Sequence, residues 1–262
     1  MLPDWETTAI LEEALMGARR SFLALPDLRV VERPGWLQIV TPSFRDGSFN
    51  GVSQSVLSSA EADAMIDATV AEYRSLGIAF RWAVAPDSKP DDLAARLAAR
   101  GLASYPVRAM ARSTASFGGA LAGGATVEEV DEHDAEVFTQ VMAEAWSADP
   151  GPLRVANAVV LAERSRRFRL YVARVAGEPA GCASCCMFAR STYMIGAAVL
   201  PRFRGAGVYR ALVAARLQAA AALGLELATT QALDSTSAPL LEHMGFETVA
   251  RFVVFRSEPP AA

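Results

Sequence analysis

Residues 199–209, Val-Leu-Pro-Arg-Phe-Arg-Gly-Ala-Gly-Val-Tyr, set two closely spaced glycines beside two arginines. Residues of these types can hold a phosphate or pyrophosphate. Gly205 and Gly207 give the backbone freedom to turn successive amides into one concave cluster, and Arg202 and Arg204 add charge beside it. The apolar run 194–200 reads as a buried strand, and the Ala/Leu/Val/Arg run 208–223 has helical spacing. Pro201 closes the strand because it has no N–H for a ladder. The turn amides therefore meet the free N–H groups and positive dipole end of a helix, an arrangement that attracts anions. Two other phosphate loops do not fit. A dinucleotide fingerprint needs a third glycine where Arg210 stands, and Glu226, the acidic residue downstream, starts the next strand instead of ending it. A Walker loop needs Gly-Lys-Ser/Thr, which the chain lacks.

The spacing Arg202-x-x-Gly205-x-Gly207 resembles the Gln/Arg-x-x-Gly-x-Gly/Ala pyrophosphate loop of the GCN5-related N-acetyltransferases, the GNAT family. An ordinary glycine turn between strand and helix is the other reading of these residues alone. The resemblance implies acetyl-CoA as co-substrate. Val199 and Leu200 would run along the pantetheine, and Arg204, Gly205, Ala206, Gly207, Val208 and Tyr209 would surround the pyrophosphate. The implied reaction is transfer of an acyl group to an amine of a small molecule or peptide by direct attack. An acyl-CoA sensor or a pseudo-enzyme without turnover is the alternative.

Acyl transfer needs a held thioester, a neutral amine and a proton for the departing thiolate. Backbone N–H groups at the end of the strand near Val199 would serve the oxygen that gains charge. Members of the family often carry a basic carboxylate on the strand before the loop, and 192–200 contains none. Glu144 and Glu178 are the nearest acidic candidates, both also readable as surface charges. A substrate whose amine has a lowered pKa would need no base. Many family members place a proton-donating Tyr four residues before Gly-Phe. In Leu240-Leu-Glu-His-Met-Gly-Phe that position is Leu241, which has no proton to give. Asp234 stands where those enzymes have Asn, so contacts to the pantetheine and adenosine side would shift to Ser235 or Ser237, which can equally cap a helix ahead of Pro239. Water held by Ser237 could supply the proton. Tyr209 is the rival acid, its other role being to pack its ring over the pantetheine or the helix. His243 should sit on another face of that helix, at the surface.

Stepping along the chain, 7–25 reads as an amphipathic helix, 36–40 and 49–57 as strands, 59–77 as a helix ended by Gly77, and 80–84 as a strand stopped before Pro86. A helix over 91–100 and a strand over 105–112 complete this half. Its strand, helix, glycine, strand order resembles the end of a GNAT domain, but 1–112 contains no Arg/Gln-x-x-Gly-x-Gly. We read it as a degenerate GNAT-like half, with an unrelated α+β cap as the alternative. The glycine-rich, uncharged 113–125 reads as a linker. From 126 to 262 the order is fuller: strand 126–130, helices 134–146 and 153–164, strands 170–175 and 181–188 around a turn at Gly177-Glu-Pro, strand 194–200, the loop and its helix, strand 225–233, helix 239–244 and strand 248–256. This order resembles a GNAT domain from end to end, and the resemblance implies the fold class: α/β, an α+β mixed and mostly antiparallel sheet flanked by helices, built from two GNAT-like units in tandem.

The chain's 262 residues and formal charge of −4 argue against nucleic acid or an anionic membrane as its main partner. No uncharged apolar run reaches the roughly 18 residues of a membrane span, and no signal peptide is visible, so a soluble cytoplasmic protein, monomer or homodimer, is expected. Cys182, Cys185 and Cys186 crowd one strand and the only histidines are His133 and His243. Buried thiols, and no metal, follow.

Overall fold

The computed structural model describes residues 2–115 and 124–258. In the first half the elements are α1 (Thr7–Arg20), β1 (Arg29–Arg33), β2 (Trp36–Val40), β3 (Gly51–Ser55), α2 (Ser59–Ser75), β4 (Arg81–Val84), α3 (Leu93–Ala99) and β5 (Ala103–Ser113). The helix expected to run to residue 25 stops at Arg20, where the Ser21 hydroxyl bonds the Gly17 carbonyl at 2.5 Å. The turn that follows still buries Leu23 and Leu25. Strand β1 was not expected, because its Arg-Val-Val-Glu-Arg sequence is that of a charged sheet edge. Most of the proposed linker, 116–123, lies outside the described residues. Thr114, just before it, is fixed by its N–H to the Glu226 carbonyl at 3.1 Å.

The second half comprises β6 (Ala125–Glu129), α4 (Ala135–Trp146), α5 (Pro150–Ala162), β7 (Phe168–Val175), β8 (Glu178–Met187), β9 (Ser191–Val199), α6 (Val208–Ala222), β10 (Leu227–Leu233), α7 (Ser237–His243) and β11 (Glu247–Arg256). Pro201, expected to close a strand, opens a single 3-10 turn over Pro201–Phe203 that joins β9 to the glycine loop. The β7/β8 hairpin turns at Gly177, as expected, and α7 starts at Ser237, two residues ahead of Pro239.

All the strands join one sheet in the order β1-β2-β3-β4-β11-β5-β10-β9-β8-β7-β6. The last strand of each half is exchanged: β11 lies between β4 and β5, and β5 pairs with β10. Both exchanged strands carry inward side chains on two faces, as central strands do. In β11, Val254 packs with α1 while Phe255 packs among Trp36, Trp82 and the α2/α3 side chains. The same alternation in β7 sends Leu170 and Val172 under α4 and α5, and Tyr171 and Ala173 under α6. One face therefore carries α1, α4 and α5, and the other α2, α3, α6 and α7. Because the ladder runs unbroken from β1 to β6, the halves cannot move apart without breaking strand pairs.

Candidate active site

Strands β9 and β10 are parallel neighbours only at Ser191/Leu227, Thr192/Ala228 and Tyr193/Thr229. Beyond Tyr193 they splay, leaving the β10-facing backbone of β9 without a strand partner as far as Val199. The cause is a bulge. Ser184 of β8 faces Ile195, but Ala183 faces Ala197, so Gly196 is the extra residue that bends β9 away. A Cβ at Gly196 would stand 2.8 Å from the Trp146 ring, so only glycine lets the indole at the end of α4 lie on the strand there. The opening is held by Thr230, whose hydroxyl donates to the Met194 carbonyl at 2.9 Å, and by Arg216 of α6, which donates to the Ser184 and Ile195 carbonyls at 3.1 and 3.2 Å.

At the end of the splay, Gly205 and Gly207 both have left-handed backbones, φ 84° and 78°. Gly207 is the residue before α6, and no side chain caps that helix and no acidic residue occupies its first turn. Ala206 donates to the Phe203 carbonyl and Ala211 to that of Gly207, while the N–H groups of Gly205, Gly207, Val208, Tyr209 and Arg210 meet no protein acceptor among the described residues. These amides, the exposed Arg204 and the helix dipole form an anion nest. Arg202 is not free: it pairs with Glu144 at 2.6 Å. That pairing also occupies one candidate base, and Glu178 is exposed at the start of β8.

The first half repeats this unit as β3-α2-β4, again parallel, but closes it. The Lys89 N–H donates to the Ser55 carbonyl at 2.9 Å and Leu57 N–H to the Lys89 carbonyl at 3.1 Å, so the segment after β4 bridges the gap. The Trp82 indole fills what remains, donating to Ser55 Oγ at 3.0 Å. The N-terminus of α2 is sealed by a capping box in which Glu61 takes the Ser58 N–H and hydroxyl. A carboxylate occupies the place an anion would need.

A cleft of about 1040 Å³ takes in the β9/β10 splay and residues of α1, and Tyr209, Ser235, Ser237 and Leu241 are among its lining. The structure thus brings Tyr209 and Ser237 together with β9. Ser237 accepts the Leu233 N–H at 3.0 Å, a turn bond ahead of α7 that leaves its own proton available. Leu241 is 2% exposed and fills the core beneath. Val199 packs under α6, whereas the Leu200 side chain lies in the core below α4, so only its backbone can face a ligand. Asp234 is held by Arg108 and Arg251, and the Arg108 hydrogen bond draws its carboxyl below the ordinary range. His243 is exposed, with Nδ1 2.7 Å from the Pro239 carbonyl.

Burial raises the Tyr209 pKa, eased in part by Arg216, so its phenol stays protonated at neutral pH. Arg216 is itself buried, with no carboxylate beside it among the described residues, and desolvation lowers its pKa. The three cysteines are buried, and burial pushes the thiols of Cys182 and Cys185 up to about 12 and about 11. Sequence reasoning missed Tyr193, at the apex of the splay. Its ring packs against Gly17 of α1, where a Cβ would come within 2.9 Å, and its pKa is raised by burial against the Gln231 N–H and the charge of Arg81. No local pattern marks such a residue, because its neighbours come from four elements.

Residues 127–246 match the model described as the acetyltransferase (GNAT) family. The whole chain is similar in structure to a GCN5-related N-acetyltransferase from Kribbella flavida, with TM-score 0.68, 15% identity and coverage of 99% of this chain and 98% of that one. A tandem GNAT protein from the clavulanic acid biosynthesis pathway superposes with TM-score 0.60 at 16% identity, over 99% and 97% of the two chains. A GCN5-related N-acetyltransferase from Sphaerobacter thermophilus gives TM-score 0.60 at 15% identity, over 100% and 98%. A comparison with curated proteins finds no match. The likeness in fold extends over both halves, and the family match falls on the half that holds the splay and the nest: residues 127–246 form a domain of the GNAT family of acetyltransferases.

Proposed function

We propose that the protein transfers the acetyl group of acetyl-CoA to an amine, with residues 126–262 holding the donor and residues 1–112 shaping the acceptor side. The observation that carries this reading is the open, bulged β9/β10 splay ending in an uncapped helix and a free amide nest, beside a first-half copy of the same unit that is shut. Pantetheine would lie in the splay along Val199 and Leu200. Its pyrophosphate would sit on the amides from Gly205 to Tyr209, with Arg204, Ala206 and Val208 around it and Ser235 and Asp234 at the far lip.

The amine nitrogen attacks the thioester carbon, the C–N bond forms, and the C–S bond breaks as the electron pair leaves on sulfur. Unpaired backbone N–H groups of β9 stabilise the oxygen that gains charge. The thiolate takes a proton from the Tyr209 side of the cleft, directly or through water on Ser237, and the amine's proton leaves to solvent. No carboxylate is placed on β9 to take it, which suits an amine already neutral at working pH. The cysteines take no part, since burial holds their thiols protonated.

Calorimetry with acetyl-CoA and thiol release with a panel of amines test this together. Binding near one equivalent with acceptor-dependent thiol release is expected. Binding without release for any amine makes the protein an acyl-CoA sensor, and absence of binding overturns the site.

A further inference from the structure

On β11 two pairs of arginines stand directly opposite one another across strands. Arg251 faces Arg108 of β5, and Arg256 faces Arg81 of β4. Side chains so opposed share a face with Cβ atoms about 5 Å apart, and like charges there repel. The first pair is reconciled by a carboxylate, Asp234, which accepts from both guanidinium groups. The second pair has no such acceptor. Neither Arg81 nor Arg256 makes an ion pair or side-chain hydrogen bond with any described residue, and both are exposed.

The backbone around the second pair is fixed. Phe80 N–H donates to Ser257 Oγ at 3.0 Å and Ser257 N–H returns to the Phe80 carbonyl at 3.1 Å, while Arg81 N–H is held by the Asn50 carbonyl at 3.1 Å. Asn50 is in turn buried and bonded to Thr41 and Phe44. Gly51 makes the close approach of β3 possible, since a Cβ there would stand 2.2 Å from the Arg81 carbonyl oxygen. Two unpaired cations are thus held in fixed register, and both line the cleft. Its charged lining is Arg19, Arg81, Arg216 and Arg256 against Asp46 alone, in a chain of net charge −4. Arg19 is already neutralised by Asp87 at 2.7 Å and Arg216 is committed to strand carbonyls. The charge of Arg81 acts on Tyr193 at the apex of the splay, partly offsetting the effect of burial on its hydroxyl. Of the nest residues 204–210 only Tyr209 is part of that lining, so neither arginine of this pair belongs to the nest.

We propose that Arg81 and Arg256 bind a carboxylate on the acceptor, so that the substrate is an amine carrying an acid group, held as Arg108 and Arg251 hold Asp234. This rests on the acetyltransferase reading above. Guanidinium groups bind carboxylates in paired, directional hydrogen bonds, which would position the amine at the far end of the acceptor.

The test uses the full chain saturated with CoA, titrated calorimetrically with straight-chain ω-amino acids from glycine to 6-aminohexanoate and with their carboxamides. At one or more chain lengths the acid should bind at least about tenfold more tightly than its amide. Arg81→Gln and Arg256→Gln, both exposed positions, should each bring the acid close to the amide, while acetyl-CoA affinity is unchanged. Equal or undetectable binding of acid and amide at every length overturns the proposal, as does a preference that survives both substitutions or a parallel loss of acetyl-CoA affinity. Failure of the unmodified protein to bind acetyl-CoA would instead refute the donor site.

Discussion

Arg216 Nη1 donates to the Ile195 carbonyl at 3.2 Å from a side chain that is almost wholly enclosed. The same nitrogen reaches Ser184, the cross-strand partner of Ile195, at 3.1 Å, and Nε returns to the Leu212 carbonyl of its own helix. A buried cation without a carboxylate is costly, and the bulge accounts for it: the register shift between β8 and β9 at Ser184 and Ile195 leaves strand carbonyls that need donors. Arg216 ties the helix that follows the nest to the strand that precedes it.

Replacing Arg216 with Met should therefore do two things. Each buried carbonyl left unpaired costs about 1–3 kcal/mol, which urea unfolding would register. Acetyl-CoA affinity should also fall, because the splay loses its tie. Arg216→Lys keeps the charge but has no planar fork to span two carbonyls, so an intermediate effect is expected. Parent-like stability and affinity in both variants would show that the bulge holds itself.

Gly207→Val should abolish acetyl-CoA binding in a folded protein. At φ 78° a β-branched residue is strained, and relief of that strain would rotate the amides that open α6. Calorimetry on a variant with native circular dichroism checks it, and unchanged affinity would remove the nest from the site.

How much of this could be read beforehand depends on how local the signal is. The loop, its strand and its helix are contiguous, and Gly205, Gly207 and Pro201 announce them. The exchange of β5 and β11 is not local. Either half's sequence is satisfied by pairing its last strand at home, and only the register of the whole sheet decides otherwise. Arg81 and Arg256 are far apart in sequence and meet only because of that exchange. The closure of the first half is likewise carried by Lys89 and Trp82, whose partners Ser55 and Leu57 lie across a helix. The missing loop motif told that the half lacks a nest, but not that its gap is filled.

Each chain should bind one acetyl-CoA. The first-half gap is bridged by Lys89 and its helix end is occupied by Glu61. Glu61→Ala removes the carboxylate but leaves the bridge, so the calorimetric stoichiometry should stay near one. A value near two, in the parent or the variant, would show that the first half accepts a donor.

Stability should fall in alkaline solution. The folded protein holds the Cys182 and Cys185 protons up to about pH 12 and about pH 11, whereas the unfolded chain releases them near pH 8.5. A raised folded pKa contributes stability that is complete below the unfolded value and is lost as pH climbs towards the folded one. Each thiol should remove up to about 1.4 kcal/mol per pH unit above about pH 9. Urea midpoints at pH 8 and pH 10 would show the drop, and Cys182→Ala with Cys185→Ala should make it shallower. For the same reason iodoacetamide should leave both thiols unlabelled in the native protein at pH 8.

Tyr209→Phe separates the two roles open to that side chain. Its ring packs against the cluster of Val213, Met194 and Leu241, and phenylalanine keeps that contact while losing the hydroxyl. Burial keeps the phenol protonated, so it is able to donate, but the leaving group asks little of it: a thiol with a pKa near 8.5 departs readily as its anion. Ser237, whose hydroxyl could hold a water as a second source, lines the same cleft. The expected outcome is a kcat within about tenfold of the parent and an unchanged acetyl-CoA affinity, well short of the hundredfold or more that a dedicated acid contributes. A loss of about a hundredfold, with affinity intact and the alkaline limb of the pH profile abolished, would make Tyr209 the principal acid. Ser237→Ala measured alongside decides whether water at that hydroxyl carries the remainder, since the double variant should then lose more than the product of the two single losses.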